Sequence, residues 1–261
     1  MSDYYKIIDD SPSLLNYLFY PRRQHSKPPD GAYDLNIPVS ENVVIVCRAF
    51  LSDSKAPWLL FFHGNGEVVS DYDHMAPHYN KAGLNLLVAD YRGYGASGGR
   101  PTFQNLVNDA YLIYQFVSKE INNQEGLSEW FVMGRSLGSI SALELAGRFP
   151  DQIKGIIIES GFISVAGLIY HLGLPNPGDL SSLEETYRKM AASIKIPALV
   201  IHGSRDRLVP LSQGKVLYQA LGSAEKKLVL IPDADHNDIM FVDTVKYIKA
   251  VKEFVNTYSD R

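Results

Sequence analysis

The chain has one cysteine in 261 residues. No internal disulfide can form, and this usage points to a reducing compartment such as the cytoplasm. Cys47 directly follows Val43-Val44-Ile45-Val46 and reads as a small buried hydrophobe. Long apolar runs are also missing, and none approaches the ~18 residues that a membrane span requires. The N-terminus shows no basic region leading into a clean apolar stretch and a small-residue cleavage site, so no signal peptide is expected. Positive charge is scarce too: Lys and Arg number 25 against 29 Asp and Glu, a formal net charge of −4. With no basic helix or Lys/Arg stripe, a nucleic-acid partner is excluded. Internal repeats and low-complexity linkers are absent.

What is present is an ordinary globular composition, 46% hydrophobic and 21% charged. Residues 1–261 are expected to form one domain with a large core. Two β-type runs, 32–38 and 42–51, lie a few polar residues apart and predict an antiparallel hairpin. Beyond them the rhythm changes. Trp58-Leu59-Leu60-Phe61-Phe62 and the runs at 84–89, 130–133, 155–158, 198–201 and 227–231 are almost continuously apolar, as in strands buried on both faces. Helix-length segments lie between them at 71–82, 103–119, 139–149, 211–221 and 242–258. This alternation predicts an α/β fold, with a mostly parallel sheet and helices on both faces. Residues 161–193 are too long for a simple connection, and Leu174-Pro175-Asn176-Pro177-Gly178-Asp179 breaks any helix there. They predict a small cap inserted over the sheet edge.

Gly134-Arg135-Ser136-Leu137-Gly138 stands between an apolar strand and a helix-forming run. Such a turn lifts its central side chain above the sheet and holds it at a helix N-terminus, where free N–H groups stabilise developing negative charge. Ser136 is therefore the candidate nucleophile. Gly95-Ala96-Ser97-Gly98-Gly99 has the same spacing, but Arg100 and Pro101 follow, so no helix starts on Ser97. It reads as a loop serine.

A serine hydroxyl needs a base, and the base needs an orienting acid. Among 7 histidines, His236 lies in a polar loop just after the last apolar run. Asp206 lies just past another strand, in His202-Gly203-Ser204-Arg205-Asp206, before a helix with Pro210 near its start. The chain order Ser136, Asp206, His236 is the one expected for this architecture. Asp235 and Asp238 are too near His236 in sequence to orient its ring, and read as loop charges or caps. His63-Gly64-Asn65-Gly66 follows the 58–62 run and reads as an anion cradle, with the N–H groups of Asn65 and Leu137 as oxyanion donors. His63 and His202 each precede a glycine at a strand end and read as structural. His74 and His78 have Pro77 between them and no partnering Glu, so no metal is expected. The chemistry asks for no cofactor.

Phe162, Leu168 and Tyr170 in the 161–193 excursion are candidates for an apolar pocket wall. Arg135 and Glu159 end strands expected to be neighbours. They form either a cationic wall for an anionic substrate group or, as favoured, a salt bridge steadying the elbow. Leu14, Leu15, Leu18, Phe19 and Tyr20 precede Arg22 and Arg23. A short element packed on the domain is favoured here over weak peripheral contact with a membrane surface. Nothing in the pattern bears on oligomeric state.

Several motifs converge on one family: Phe61-Phe62-His63-Gly64-Asn65-Gly66, Asp90-Tyr91-Arg92-Gly93-Tyr94-Gly95, Gly134-Arg135-Ser136-Leu137-Gly138, His202-Gly203-Ser204-Arg205-Asp206 and Asp235-His236-Asn237. Through them the chain, from Asn42 onward, resembles α/β-hydrolase-fold serine hydrolases and, within these, the Bem46-like group. The resemblance implies the α/β-hydrolase fold, triad positions at Ser136, Asp206 and His236, and oxyanion positions at Asn65 and Leu137. Many Bem46-like proteins carry an N-terminal membrane helix. This sequence shows none, so membrane residence does not carry over. Family relatives include acyl-protein thioesterases and lipid hydrolases, so the expected activity is hydrolysis of esters or thioesters of a small-molecule or acyl-group substrate. A serine aminopeptidase of the same fold needs carboxylates for the substrate amine, and Glu159 is the only obvious one. A non-catalytic binding protein is expected to lack a triad member, and all three are present.

Overall fold

In the computed structural model, which describes residues 3–125, 128–175 and 178–259, eight strands occupy the β-type runs. They are β1 (Ala32–Ser40), β2 (Val43–Phe50), β3 (Trp58–Phe62), β4 (Asn85–Ala89), β5 (Trp130–Arg135), β6 (Ile153–Glu159), β7 (Ala198–Gly203) and β8 (Lys226–Ile231). They form one sheet in the order β1-β2-β4-β3-β5-β6-β7-β8. The β1–β2 and β2–β4 pairs are antiparallel and the other five are parallel. This is the α/β-hydrolase fold expected from the sequence. The chain moves outward from β3 to β4, then returns to lay β5 on the other side of β3. That reversal opens a crevice beyond the carboxyl ends of β3 and β5, where such sheets bind ligands.

β3, β4, β5 and β7 are buried at every position, which is why their sequences do not alternate. Leu60 and Phe62 face one core, with Ile113 and Leu143 from helices Phe103–Glu125 and Ser139–Arg148. Leu59 and Phe61 face the other, with Tyr79 and Val251 from helices Ala76–Lys81 and Thr244–Tyr258. The single helix expected over 71–82 is divided into a 3-10 turn, Val69–His74, and the helix Ala76–Lys81. Pro77 cannot donate an N–H and so occupies the first turn of a new helix.

The 161–193 excursion contains two helices. Its first helix, Val165–His171, is capped by Ser164, whose hydroxyl accepts the Gly167 N–H at 2.8 Å. Its second, Ser181–Ser193, buries Leu183, Tyr187 and Ala191 and packs beside Ser139–Arg148. There the Tyr5 hydroxyl donates to that of Tyr187 at 2.6 Å. Asn176 and Pro177, part of the expected helix break, lie outside the described residues. The N-terminal helix Pro12–Leu18 buries Leu14 and Leu18, so that segment packs on the sheet's helical layer.

Candidate active site

Ser136 follows β5 with a φ of 50°, a left-handed conformation that residues bearing a Cβ rarely adopt. Its flanking glycines show how tight the turn is. A Cβ on Gly134 would lie 2.3 Å from the Gly138 carbonyl oxygen, and one on Gly138 would lie 2.0 Å from that of Phe62 at the end of β3. Only glycine fits at either position. The turn runs straight into helix Ser139–Arg148, where the Ser139 hydroxyl donates to the Ser136 carbonyl at 2.6 Å. Ser136 is thus fixed at a helix N-terminus above the crevice.

Asp206 after β7 and His236 after β8 meet across 30 residues of sequence. His236 Nδ1 lies 2.8 Å from Asp206 Oδ2. An Nδ1–H donating to the carboxylate leaves Nε2 as the ring nitrogen with a lone pair. The other oxygen, Oδ1, accepts the N–H groups of Leu208 at 3.0 Å and Val209 at 2.8 Å. Burial pushes the Asp206 carboxyl up, but the His236 hydrogen bond and charge and the Val209 N–H outweigh it and hold it below the usual carboxylate range. Asp235 ties the two loops together, accepting the N–H groups of His236 at 2.7 Å and Arg207 at 3.1 Å.

Asn65, just past β3, spends its side chain on anchoring. Its Oδ1 accepts the Tyr20 N–H at 2.9 Å and the Tyr94 hydroxyl at 2.6 Å, and its Nδ2 donates to the Leu18 carbonyl at 2.9 Å. Among the described residues the backbone N–H groups of Asn65 and Leu137 have no hydrogen-bond acceptor. Both residues line a cavity of about 320 Å³ together with Ser136. The rest of its wall is mostly apolar, with Leu18, Phe103, Phe162, Leu168, Leu172 and Val209, and among the described residues no charged side chain lines it. His236 borders another cleft, and Leu208 lines both that cleft and this cavity.

Behind the elbow, Arg135 joins three loops. Its Nε donates to Glu159 at 3.0 Å, and Nη2 donates to the His236 carbonyl at 2.8 Å and to Asn237 Oδ1 at 3.1 Å. Its Nη1 donates to Glu67, which also accepts the Gly64 N–H at 2.8 Å beside Asn65. Burial opposes the charge on Arg135, but Glu67 and Glu159 more than compensate and keep it protonated. For Glu159, burial outweighs the pull of Arg135 and raises its carboxyl above the usual range. For Glu67, Arg135 and neighbouring donors outweigh burial and lower it.

The family model described as serine aminopeptidase, S33 matches residues 54–176 and 178–241. The chain belongs to this family. It is an α/β hydrolase of the Bem46-like group, similar to the protein bem46 of Schizosaccharomyces pombe at 28% identity over 216 residues, 78% of this chain and 69% of that one. An uncharacterised protein of Salmonella typhi, YfhR, is 31% identical over 194 residues, which is 69% of this chain. The chain spans 64% of that relative's length. An esterase from Pyrococcus furiosus has the same fold, with a TM-score of 0.74 at 22% identity, over 91% of this chain and 98% of that one.

In this α/β hydrolase the pocket candidates divide. Phe162 and Leu168 line the Ser136 cavity. Tyr170 does not: two residues beyond Leu168 it points from the other side of helix Val165–His171, 88% exposed, and borders a separate cavity with Ile169. Arg135 and Glu159 border a third cavity, away from Ser136, and are bonded to each other. Neither lines the Ser136 cavity. His63 is held between the Gly64 carbonyl and Asp90, and His202 by the Val209 carbonyl, with burial pushing the His202 ring toward its neutral form. The Ser97 hydroxyl accepts the Val46 N–H at 2.9 Å. Sequence reasoning missed Tyr17, Leu18 and Tyr20 as cavity residues. The apolar cluster 14–20 was visible, but no local pattern says which distant cavity it borders.

Proposed function

We propose that this α/β hydrolase cleaves carboxylic esters or thioesters through a Ser136 acyl-enzyme. The observation that carries the proposal is the uncharged, apolar cavity that opens on the strained Ser136 turn, with the unpartnered N–H groups of Asn65 and Leu137 on its wall. His236 Nε2 takes the Ser136 proton as Oγ attacks the acyl carbon, and the carbonyl electron pair moves onto oxygen. That oxyanion is held by the two N–H groups, and losing one such donor typically costs on the order of 10²–10³ in rate. Collapse of the intermediate expels the alcohol or thiol, which receives the proton from His236. Water then attacks the acyl-enzyme with His236 again as base, while Asp206 holds the Nδ1–H and stabilises the imidazolium.

An aminopeptidase needs a carboxylate near Ser136 to hold the substrate amine. Glu159 is committed to Arg135 and Tyr247, and the cavity presents none, which favours an apolar acyl group. We take residues 1–261 as one domain with 161–193 as a small cap insertion, working without metal or cofactor in a reducing compartment that suits the buried Cys47 thiol. Among the described residues no helix is long and apolar enough to cross a membrane. The test is a panel of p-nitrophenyl esters, an acyl-thioester and an aminoacyl-anilide, with wild type and Ser136→Ala. Turnover of esters or thioesters that vanishes in Ser136→Ala is expected. Turnover of the anilide alone, or turnover surviving in Ser136→Ala, overturns the proposal.

A further inference from the structure

We infer that the N-terminal strap Tyr17–Tyr20 is the specificity-determining wall of the acyl pocket and that it also holds the oxyanion loop through Asn65. This rests on the Ser136 acyl-enzyme proposed above and deepens it. Tyr17, Leu18 and Tyr20 line the same cavity as Ser136. The family match begins at residue 54, so this wall lies outside the part of the chain that defines the family. The pocket is therefore closed in part by a segment outside the family match.

The strap is fixed at two points. Ahead of it in the chain, the two oxygens of Asp9 accept the N–H groups of Phe103 and Gln104 at 2.8 and 2.9 Å. These are unpaired donors at the N-terminus of helix Phe103–Glu125. Phe103 itself lines the cavity, and Phe19 packs on it with ring centroids 5.1 Å apart. At its end, the Leu18 carbonyl and Tyr20 N–H bracket the Asn65 side chain, and the Tyr94 hydroxyl bonds both Asn65 and the Tyr20 N–H. Phe19 is buried in the core, while Tyr17 and Tyr20 are 51% and 59% exposed at the cavity mouth. Leu18 and Tyr20, on either side of Phe19, are thus left for the acyl chain.

The ligand is an apolar acyl chain running from Ser136 along Leu18 toward Leu172, with the strap setting how long a chain is accepted. Each methylene that loses its burial lowers the specific rate about fourfold.

The experiment uses alkyl fluorophosphonates of increasing chain length, and reads the rate of covalent labelling for wild type, Leu18→Trp, Tyr17→Ala, Tyr20→Ala, Tyr94→Phe and Tyr170→Ala. Leu18→Trp, by filling the cavity, is expected to move the optimum to shorter chains relative to its own shortest-probe rate. Tyr17→Ala and Tyr20→Ala, whose side chains are half exposed, are expected to flatten the chain-length dependence even if Leu18→Trp does not fold. Tyr94→Phe is expected to slow labelling by all probes alike, through Asn65, without moving the optimum. Tyr170→Ala is expected to leave the profile unchanged. Labelling of Ser136 with the wild-type profile in all three strap variants overturns the inference while leaving the acyl-enzyme standing. A shifted profile in Tyr170→Ala also overturns it. Absence of labelling at Ser136 in wild type removes the acyl-enzyme itself.

Discussion

Replacing Arg135 by Met tests whether the residue before Ser136 holds the histidine loop or only neutralises buried charge. The side chain bears one positive charge between two carboxylates, Glu67 and Glu159, and donates two hydrogen bonds to His236 and Asn237. Met fills a similar volume but leaves two carboxylates close together with no cation. Breaking a buried pair of this kind costs about 3–5 kcal/mol, or roughly 6–20 °C in melting temperature for a chain of this size. The sign of the pH dependence is definite. Glu159 is already raised above its usual range by burial; loss of Arg135 raises it further and removes the charge that helps hold the Glu67 carboxyl low. A carboxyl whose folded pKa lies above its unfolded value destabilises as pH rises through that window. The variant is therefore expected to lose most stability at pH 8 and less at pH 5, where a proton replaces the missing cation. Arg135→Met with Glu159→Gln is expected to recover part of the loss. In steady-state kinetics kcat is expected to fall on the order of tenfold to a hundredfold, because a displaced base spoils the reacting geometry. KM should stay close to wild type, since Arg135 does not line the Ser136 cavity. Thermal melts at the two pH values, paired with kcat and KM on one ester, measure all of this. A loss of stability equal at pH 5 and pH 8, or a change in KM alone, refutes the reasoning.

Asp206→Asn is expected to fold and to lose about four orders of magnitude in kcat, because the amide no longer selects the Nδ1–H tautomer of His236; full activity in this variant assigns the acid elsewhere. The same carboxyl is held below its usual range, so its stabilisation is present above the unfolded value of ~3.9 and is lost as pH falls through the lower folded value. Acid titration of stability should therefore be shallower below pH 4 in Asp206→Asn than in wild type, and parallel curves would contradict the assignment. Gly138→Ala forces a methyl against the Phe62 carbonyl and is expected to cost about 1–3 kcal/mol; an unchanged denaturation midpoint would mean that the elbow can relax away from β3.

The legible part of the site was the part written in short stretches. Gly134 to Gly138 announces a sharp turn because glycine spacing, the preceding apolar strand and the following helix run are contiguous. Ser97, with equal spacing, is separated from Ser136 by its flanking Arg100 and Pro101 alone. Tyr170 shows the opposite case. It shares composition and neighbourhood with Leu168, yet two residues of helical phase turn it away from the cavity. The helix expected over 71–82 failed at Pro77 for a local reason that was present in the sequence.

By itself, then, the sequence determined the strand and helix rhythm, the mostly parallel sheet and the sharp turn that carries Ser136, because periodicity and turn chemistry act over a few residues. Tertiary structure alone decided which distant groups share a space. It set His236 Nδ1 on Asp206 Oδ2, tied Arg135 to Glu67, Glu159 and the His236 carbonyl at once, and laid Leu18 beside Ser136. These contacts depend on sheet order and on the docking of an N-terminal segment more than a hundred residues away from Ser136 in the chain. Such long-range closure leaves no period in the sequence, because it is fixed by the packing of completed elements.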